Sequence, residues 1–325
     1  MSWAESTIVY SIASVEIFCG LVVNGFITVT KVQDWWEGRK LKPFDKIFFS
    51  LGLCRFLFMC CYIFNLANRA FNLYFYNIKV FNWMFNAVYL FFDFCSLWFA
   101  MWLCVLYYIK VVIFKNILLI RMKLRIPELL LYMILSSLFI AFASGFFCAY
   151  NFEGNLDIMI PPRNIETNTS IDKQLIYLVP SYFFGHFLPF ILVSVSCTFL
   201  VEAIFVHIRH LSSSITSFTT PSMDAHFSAI RSVITIEVMT VMNFIVSVLL
   251  RFDFYDICNK EVLFLFAVFY PVLHSVALIA GNAKLKKAVI RVLHRIKKCG
   301  AAKKSGTKSQ ENVHVDTTTK QETKI

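Results

Sequence analysis

Residues Phe81–Lys110 read FNWMFNAVYLFFDFCSLWFAMWLCVLYYIK, and the only charges in that stretch are Asp93 and the terminal Lys110. A helix crosses the hydrocarbon core of a bilayer with about 20 apolar residues, because there it satisfies its own backbone polar groups. This stretch is longer than that, so it is expected to tilt or to project beyond the bilayer. Six more apolar stretches accompany it: Thr7–Thr30, Lys46–Asn65, Pro127–Tyr150, Leu175–His207, Ala229–Leu250 and Glu261–Ala283. The expectation is an all-α membrane protein, a seven-transmembrane-helix bundle.

Composition agrees. The 325 residues are 58% hydrophobic and 16% charged, against about 45–50% and about 25% in soluble domains. Water cannot solvate that much apolar surface, which excludes a soluble enzyme, a disordered scaffold and a fibrous protein.

Seven spans put the two termini on opposite sides. Of the 31 Lys and Arg residues, 24 fall in the first, third and fifth connections and the tail, 6 fall on the other face, and Arg55 lies inside a span. Basic residues accumulate on the cytoplasmic side, so the N-terminus is expected outside and the C-terminus in the cytoplasm. The net charge of +11 is then an inner-leaflet signal. No nucleic-acid partner is expected, since a basic face with base-stacking aromatics is missing. Residues 1–298 read as one membrane domain. Within it, Lys284–Lys298 interleaves basic residues with Leu285, Ala288, Val289, Val292, Leu293 and Ile296, the pattern of a helix lying on membrane lipids. Cys299 is an acylation candidate. The polar, basic stretch 299–325 is expected to be a disordered cytoplasmic tail.

Eight of the ten cysteines fall in or at the ends of spans, where a thiol packs as a small apolar group. The long connection Asn151–Gln174 contains none, but it carries Asn168-Thr169-Ser170, a glycosylation acceptor on the expected outer face.

The motifs narrow the class. The first span and its loop contain Gly20, Asn24, Phe26-Ile27, Asp34-Trp35, Lys40-Leu41 and Asp45; the second contains Leu51-Gly52-Leu53-Cys54-Arg55. The third contains Trp98-Phe99-Ala100 and Leu106-Tyr107-Tyr108-Ile109-Lys110. The seventh ends Tyr270-Pro271-Val272-Leu273-His274-Ser275, Leu278-Ile279 and Asn282-Ala283-Lys284-Leu285-Lys286. Together these resemble the bitter taste receptor (type 2 taste receptor) family of G-protein-coupled receptors, over roughly Gly20 to Lys287. The sequence departs from the family pattern at Ile113, where Asn is frequent, at Asp93, where Asn is usual, and at Tyr89, where Trp is common.

The resemblance implies a multi-pass plasma-membrane receptor for small bitter compounds, coupled to a heterotrimeric G protein of the gustducin or Gi type. It implies an outer-half cavity bounded by the third, fifth, sixth and seventh helices. Tyr89, Asp93 and Ser96 share one face of the third helix by their spacing, and with His186, Thr240, Asn243 and Phe264 they are the candidate ligand contacts. Thr240 and Asn243 stand where the family has aromatic residues, which implies a roomier, wetter pocket. Whether Asp93 meets ligand or is tied to His186 stays open at this point. Asn24, Arg55, His274, Ser275 and Asn282 are the candidate interior switch network, since an intramembrane charge needs an interior partner. Tyr107, Lys110, His210, His226 and Arg231 are the candidates for G-protein coupling. No cofactor, metal site or catalytic set is expected, and the chain does not read as an enzyme. Two alternatives remain: a vomeronasal type 1-like pheromone receptor, and a seven-helix proton-coupled transporter using Glu202 and Glu237.

Overall fold

The computed structural model describes residues 3–71, 78–111, 117–151, 178–212, 221–251, 259–295 and 297–298. Seven of its helices are long and apolar enough to cross a membrane. They are α1 (Trp3–Trp36), α2 (Pro43–Phe71), α3 (Lys79–Val111), α4 (Ile117–Asn151), α5 (178–212), α6 (Pro221–Arg251) and α7 (Lys260–Gly281). A shorter helix, α8, covers 283–295. Each expected span falls on one of the seven. The chain divides into two compact units, Met1–Leu278 and Ile279–Ile325.

Within the first unit α3 is the central helix. Two-thirds of its span is buried (67%), against 28% for α1 and α4 and 17% for α6. It packs against α2, α4 and α5. The outward faces of the peripheral helices carry Phe18, Val22, Tyr132, Phe139 and Phe142, all exposed. Lipid tails solvate such faces as well as a protein core does, so they need no protein partner.

The helices run past the expected span ends because their ends are anchored locally. Beyond Thr30, α1 continues to Trp36 and stops at Gly38, whose φ of +74° is a left-handed value that a Cβ would strain. Arg39 N–H donates to Asp34 O at 3.1 Å and Gly38 N–H to Trp35 O at 3.0 Å, the paired bonds of a Schellman cap. Pro43 opens α2, where its missing N–H costs nothing. Lys31 belongs to α1 rather than to the connection, and is 1% exposed. Its Nζ donates to Asp45 Oδ1 at 2.6 Å, clamping α1 to the first turn of α2.

Helix α5 has a defect near its start. Over Phe183–Phe187 it winds as a π-turn, with Leu188 N–H bonded to Phe183 O five residues back. A π-turn adds one residue to the helix and rotates the residues beyond it. Trp98 Nε1 of α3 donates to Phe184 O at 3.1 Å, which ties the turn to the central helix. Gly185 permits that approach: a Cβ there would stand 2.7 Å from the Phe94 ring.

The second unit is set by Asn282. Its Oδ1 accepts from the N–H groups of Lys284 (3.0 Å) and Leu285 (3.3 Å), an N-cap that starts α8. Leu285 and Ala288 are buried, whereas Lys284, Lys286 and Lys287 are exposed, as are Ile290, Val292 and Leu293. Asn168, Cys299 and the tail 299–325 lie outside the described residues.

Candidate functional site

Two features sit on the inner faces of the helices in the first unit. The first is a polar network deep in the bundle. Arg55 of α2 is 0% exposed. Its Nη1 donates to His274 Nδ1 and to Ser275 Oγ, both at 2.9 Å. Ser275 Oγ donates onward to Asn24 Oδ1 at 2.8 Å, and Asn24 Nδ2 donates to Gly20 O at 2.8 Å. Arginine only donates, so His274 must present a bare Nδ1. The chain thus joins α1, α2 and α7 through four of the five residues that the sequence groups together. The fifth, Asn282, is engaged as the N-cap of α8.

The second feature is a cavity of about 590 Å³, counted to its open mouth, among α2, α3, α6 and α7. Tyr89, Asp93, Ser96, Asn243 and Phe264 line it, five of the seven expected ligand contacts. The other two, His186 and Thr240, line a smaller neighbouring cavity of about 290 Å³ against α5. Asn243 and Tyr270 belong to both walls. The two spaces lie towards the end of the bundle where α3 and α7 begin.

Asp93 is the acidic group of the larger cavity. Its Oδ2 accepts from His186 Nε2 at 3.1 Å, and its side chain is 19% exposed against 3% for His186. The carboxylate therefore faces the space while the imidazole supports it from behind. That imidazole is itself fixed. Tyr182 stacks on it at 4.9 Å with the planes 7° apart, and Phe94 meets it edge-on at 5.2 Å. His186 lies within the π-turn and is buried. Of the two fates open for Asp93, the structure shows the histidine tie and leaves the carboxylate at the cavity wall.

The remaining walls are aromatic. Tyr89 Oη donates to Tyr62 Oη at 2.8 Å. Phe58 packs on both rings at 4.8–4.9 Å, and Phe264 lies 6.0 Å from Tyr62. Sequence reasoning missed Phe58, Tyr62 and Tyr270. For Tyr270 a signal existed, since it precedes His274 by four residues and so shares its helix face. For Phe58 and Tyr62 none did, because aromatic residues saturate α2.

At the other end of α3, Tyr107 packs 5.2 Å from Phe44 and against the cluster Leu200, Ile204 and Ile230. Arg231 of α6 is exposed. Lys110, His210 and His226 stand on α3, α5 and α6, but their side chains lie outside the described set. Among the described residues, no group of three or more His, Cys, Asp or Glu is placed to hold a metal ion. Glu202 is exposed and Glu237 half-buried.

Comparison with known proteins decides the class. A family model described as Taste receptor protein (TAS2R) matches residues 1–297. The chain belongs to the type 2 taste receptor family. It is 26% identical over 298 residues to "Taste receptor type 2 member 39" of Macaca mulatta, covering 89% of this chain and 87% of that one. The Homo sapiens protein of the same name is 25% identical over 300 residues, with the same coverage. "Taste receptor type 2 member 4" of Gorilla gorilla gorilla is 28% identical over 295 residues, covering 87% of this chain and 95% of the relative. Type 2 taste receptors are G-protein-coupled membrane receptors rather than enzymes, so the resemblance read from the motifs holds. Family membership sets aside the pheromone-receptor and transporter alternatives.

Proposed function

We propose that this bitter taste receptor binds small, largely apolar agonists in the cavity walled by Tyr89, Asp93, Ser96, Asn243 and Phe264, with His186 and Thr240 in the adjoining space. The supporting observation is that residues picked from four helices by their sequence positions line two spaces with a shared wall. Aromatic rings supply apolar contact area, and a few polar groups fix orientation, which is the usual make-up of a small-molecule site. An agonist acts by binding the active arrangement better than the resting one, since only that difference moves the population. Helix movement then opens the end of the bundle bearing Tyr107, Lys110, His210, His226 and Arg231 to a heterotrimeric G protein of the gustducin or Gi type. In this reading the N-terminus and the glycan on Asn168 are outside, the plasma membrane holds the seven spans, and α8 lies on inner-leaflet lipids with Cys299 as its acylation site. The Asn24–Arg55–His274–Ser275 network is the element that moves.

The test is a calcium-response screen of bitter compounds in cells carrying a promiscuous G protein. Agonists found this way should lose potency on Asn243→Phe, which fills the space between the two cavities. Agonists whose potency is indifferent to Asn243, Tyr89 and Phe264 at equal surface expression would place the binding site elsewhere.

A further inference from the structure

The turn between α1 and α2 is braced from within, and its outer surface is left over. Lys31 Nζ on Asp45 Oδ1 at 2.6 Å fixes the two helices to each other, and the bonds around Gly38 fix the chain that joins them. The acids of the turn are engaged: Asp45 and Asp34 with Lys31, Asp34 and Glu37 with Arg39. Lys40, Lys42 and Lys46 are exposed and join no ion pair among the described residues. Beside them Trp35 is 70% exposed and Trp36 86%, the highest value of any large apolar side chain among the described residues. Neither indole makes a ring contact or a hydrogen bond with a described residue.

The depth of these groups in a bilayer follows from the helices. The apolar span of α1 runs from Thr7 to Trp36, 30 residues, or about 45 Å at about 1.5 Å per residue. The hydrocarbon core takes about 30 Å of that, and the headgroup layers bring the total to about 40–45 Å. Trp35 and Trp36 close the span, so they emerge in a headgroup layer. The clamp gives the same answer. Lys31 stands level with Asp45 and the exposed Lys46, and the indoles follow one turn later on α1, about 6–8 Å further out. An indole, with its apolar rings and single N–H, favours that layer. A lysine ammonium on its flexible stem reaches phosphate oxygens there as a point charge. A soluble protein would have to displace headgroups to cover the same indoles, whereas lipid already fills the layer.

We propose that the α1–α2 turn is a docking surface for anionic phospholipid headgroups. Trp35 and Trp36 seat between the headgroups, and Lys40, Lys42 and Lys46 hold their phosphate and carboxylate oxygens. Charge complementarity selects the lipid: the three unpaired ammoniums favour an anionic headgroup over a zwitterionic one. The expected topology puts this turn at the cytoplasmic leaflet, which is the anionic one, but the surface itself does not depend on that assignment. It is also separate from the ligand cavities, whose walls include none of these residues.

The full-length receptor in phosphatidylcholine vesicles with a minor share of phosphatidylserine tests this. Brominated chains are carried either by the phosphatidylserine or by an equal amount of the phosphatidylcholine, and quenching of tryptophan emission is measured. Subtracting the signal of Trp35→Phe with Trp36→Phe isolates the two indoles. The expected result is stronger quenching of these indoles by brominated phosphatidylserine. Lys40→Gln, Lys42→Gln and Lys46→Gln together should shrink that surplus, by up to about fivefold in local lipid enrichment for each ammonium removed. It should vanish at about 1 M salt, where the screening length is about 3 Å. Inorganic phosphate at constant ionic strength should leave it unchanged; loss of the surplus would assign the lysines to a soluble anion and overturn the proposal. Equal quenching by the two lipids overturns it, as does a surplus that survives the three lysine changes. Quenching by neither lipid, with G-protein binding lost in the tryptophan variant, would make the turn a protein contact and overturn it too. Should a variant fail to fold, the wild-type comparison of the two lipids and its salt dependence decide alone, equal quenching again overturning the proposal.

Discussion

Replacing Asp93 by Asn separates a ligand carboxylate from a structural one. The Asn side chain keeps an oxygen where Oδ2 now accepts from His186 Nε2 at 3.1 Å, so the α3–α5 tie survives and expression should hold. What disappears is the negative charge at the wall of the 590 Å³ cavity. An ammonium about 4 Å from that carboxylate gains about 4 kcal/mol at an effective dielectric of about 20. Desolvation of both ions takes back part of it, leaving about 1.5–3 kcal/mol, the worth of a charge-assisted hydrogen bond. Amine agonists should therefore lose roughly ten- to a hundredfold in potency, and neutral agonists of matched shape should lose little. Dose–response curves for both classes, normalised to surface receptor, measure the difference. Equal shifts for amine and neutral agonists would refute the argument and leave Asp93 as a tie between helices. His186→Phe makes a useful companion, since it removes the support while leaving the charge.

Four further outcomes are expected. Asp45→Asn should destabilise the receptor by about 1.5–3 kcal/mol, because it removes the nearer counter-charge of the buried Lys31 ammonium and leaves Asp34 at 3.9 Å; the double change Lys31→Met with Asp45→Leu should recover much of the loss, and a thermal-shift comparison of the two checks it. Gly185→Ala should cost about 1–3 kcal/mol by overpacking, since the added carbon meets Phe94 at 2.7 Å and that ring is 1% exposed; Tm in detergent is the readout, and an unchanged value would contradict it. Arg55→Ala should abolish surface expression or agonist response, as it strips His274 and Ser275 of their donor; cell-surface staining alongside calcium signalling tests both. Asn168→Gln should remove a glycosidase-sensitive mobility shift on a gel, and a wild-type chain without any such shift would count against an outward-facing 151–174 connection.

The fold was legible because the bilayer imposes one length and one polarity on every span, and Phe81–Lys110 meets both without ambiguity. Arg55, His274 and Ser275 were legible for a related reason: a polar group inside hydrocarbon must find another, and few are available. The aromatic walls were not. With 36 phenylalanines and 13 tyrosines in the chain, nothing in the local pattern says that Phe58 and Tyr62 face a cavity while Phe139 faces lipid. The Lys31–Asp45 clamp was hidden by counting: a lysine next to a basic loop reads as a topology marker, and its burial follows only from where α1 ends. Neither did the sequence announce the π-turn, since Phe183-Phe184-Gly185-His186-Phe187 suits a regular helix equally well. What favours the wider turn is tertiary, the Trp98 bond to Phe184 O and the seat of His186 against Phe94.

That turn changes how this receptor should be lined up with its relatives. One surplus residue inside α5 advances everything before it by about 100° of helix rotation relative to everything after it. A relative whose fifth helix winds regularly will match this chain on either side of Phe183–Phe187, but not through it without a one-residue gap. An ungapped comparison would pair Tyr182 and Leu178 with residues that point elsewhere. Homology-based transfer of agonist preferences through the start of α5 therefore needs a structural register, and the C-terminal part of the helix does not.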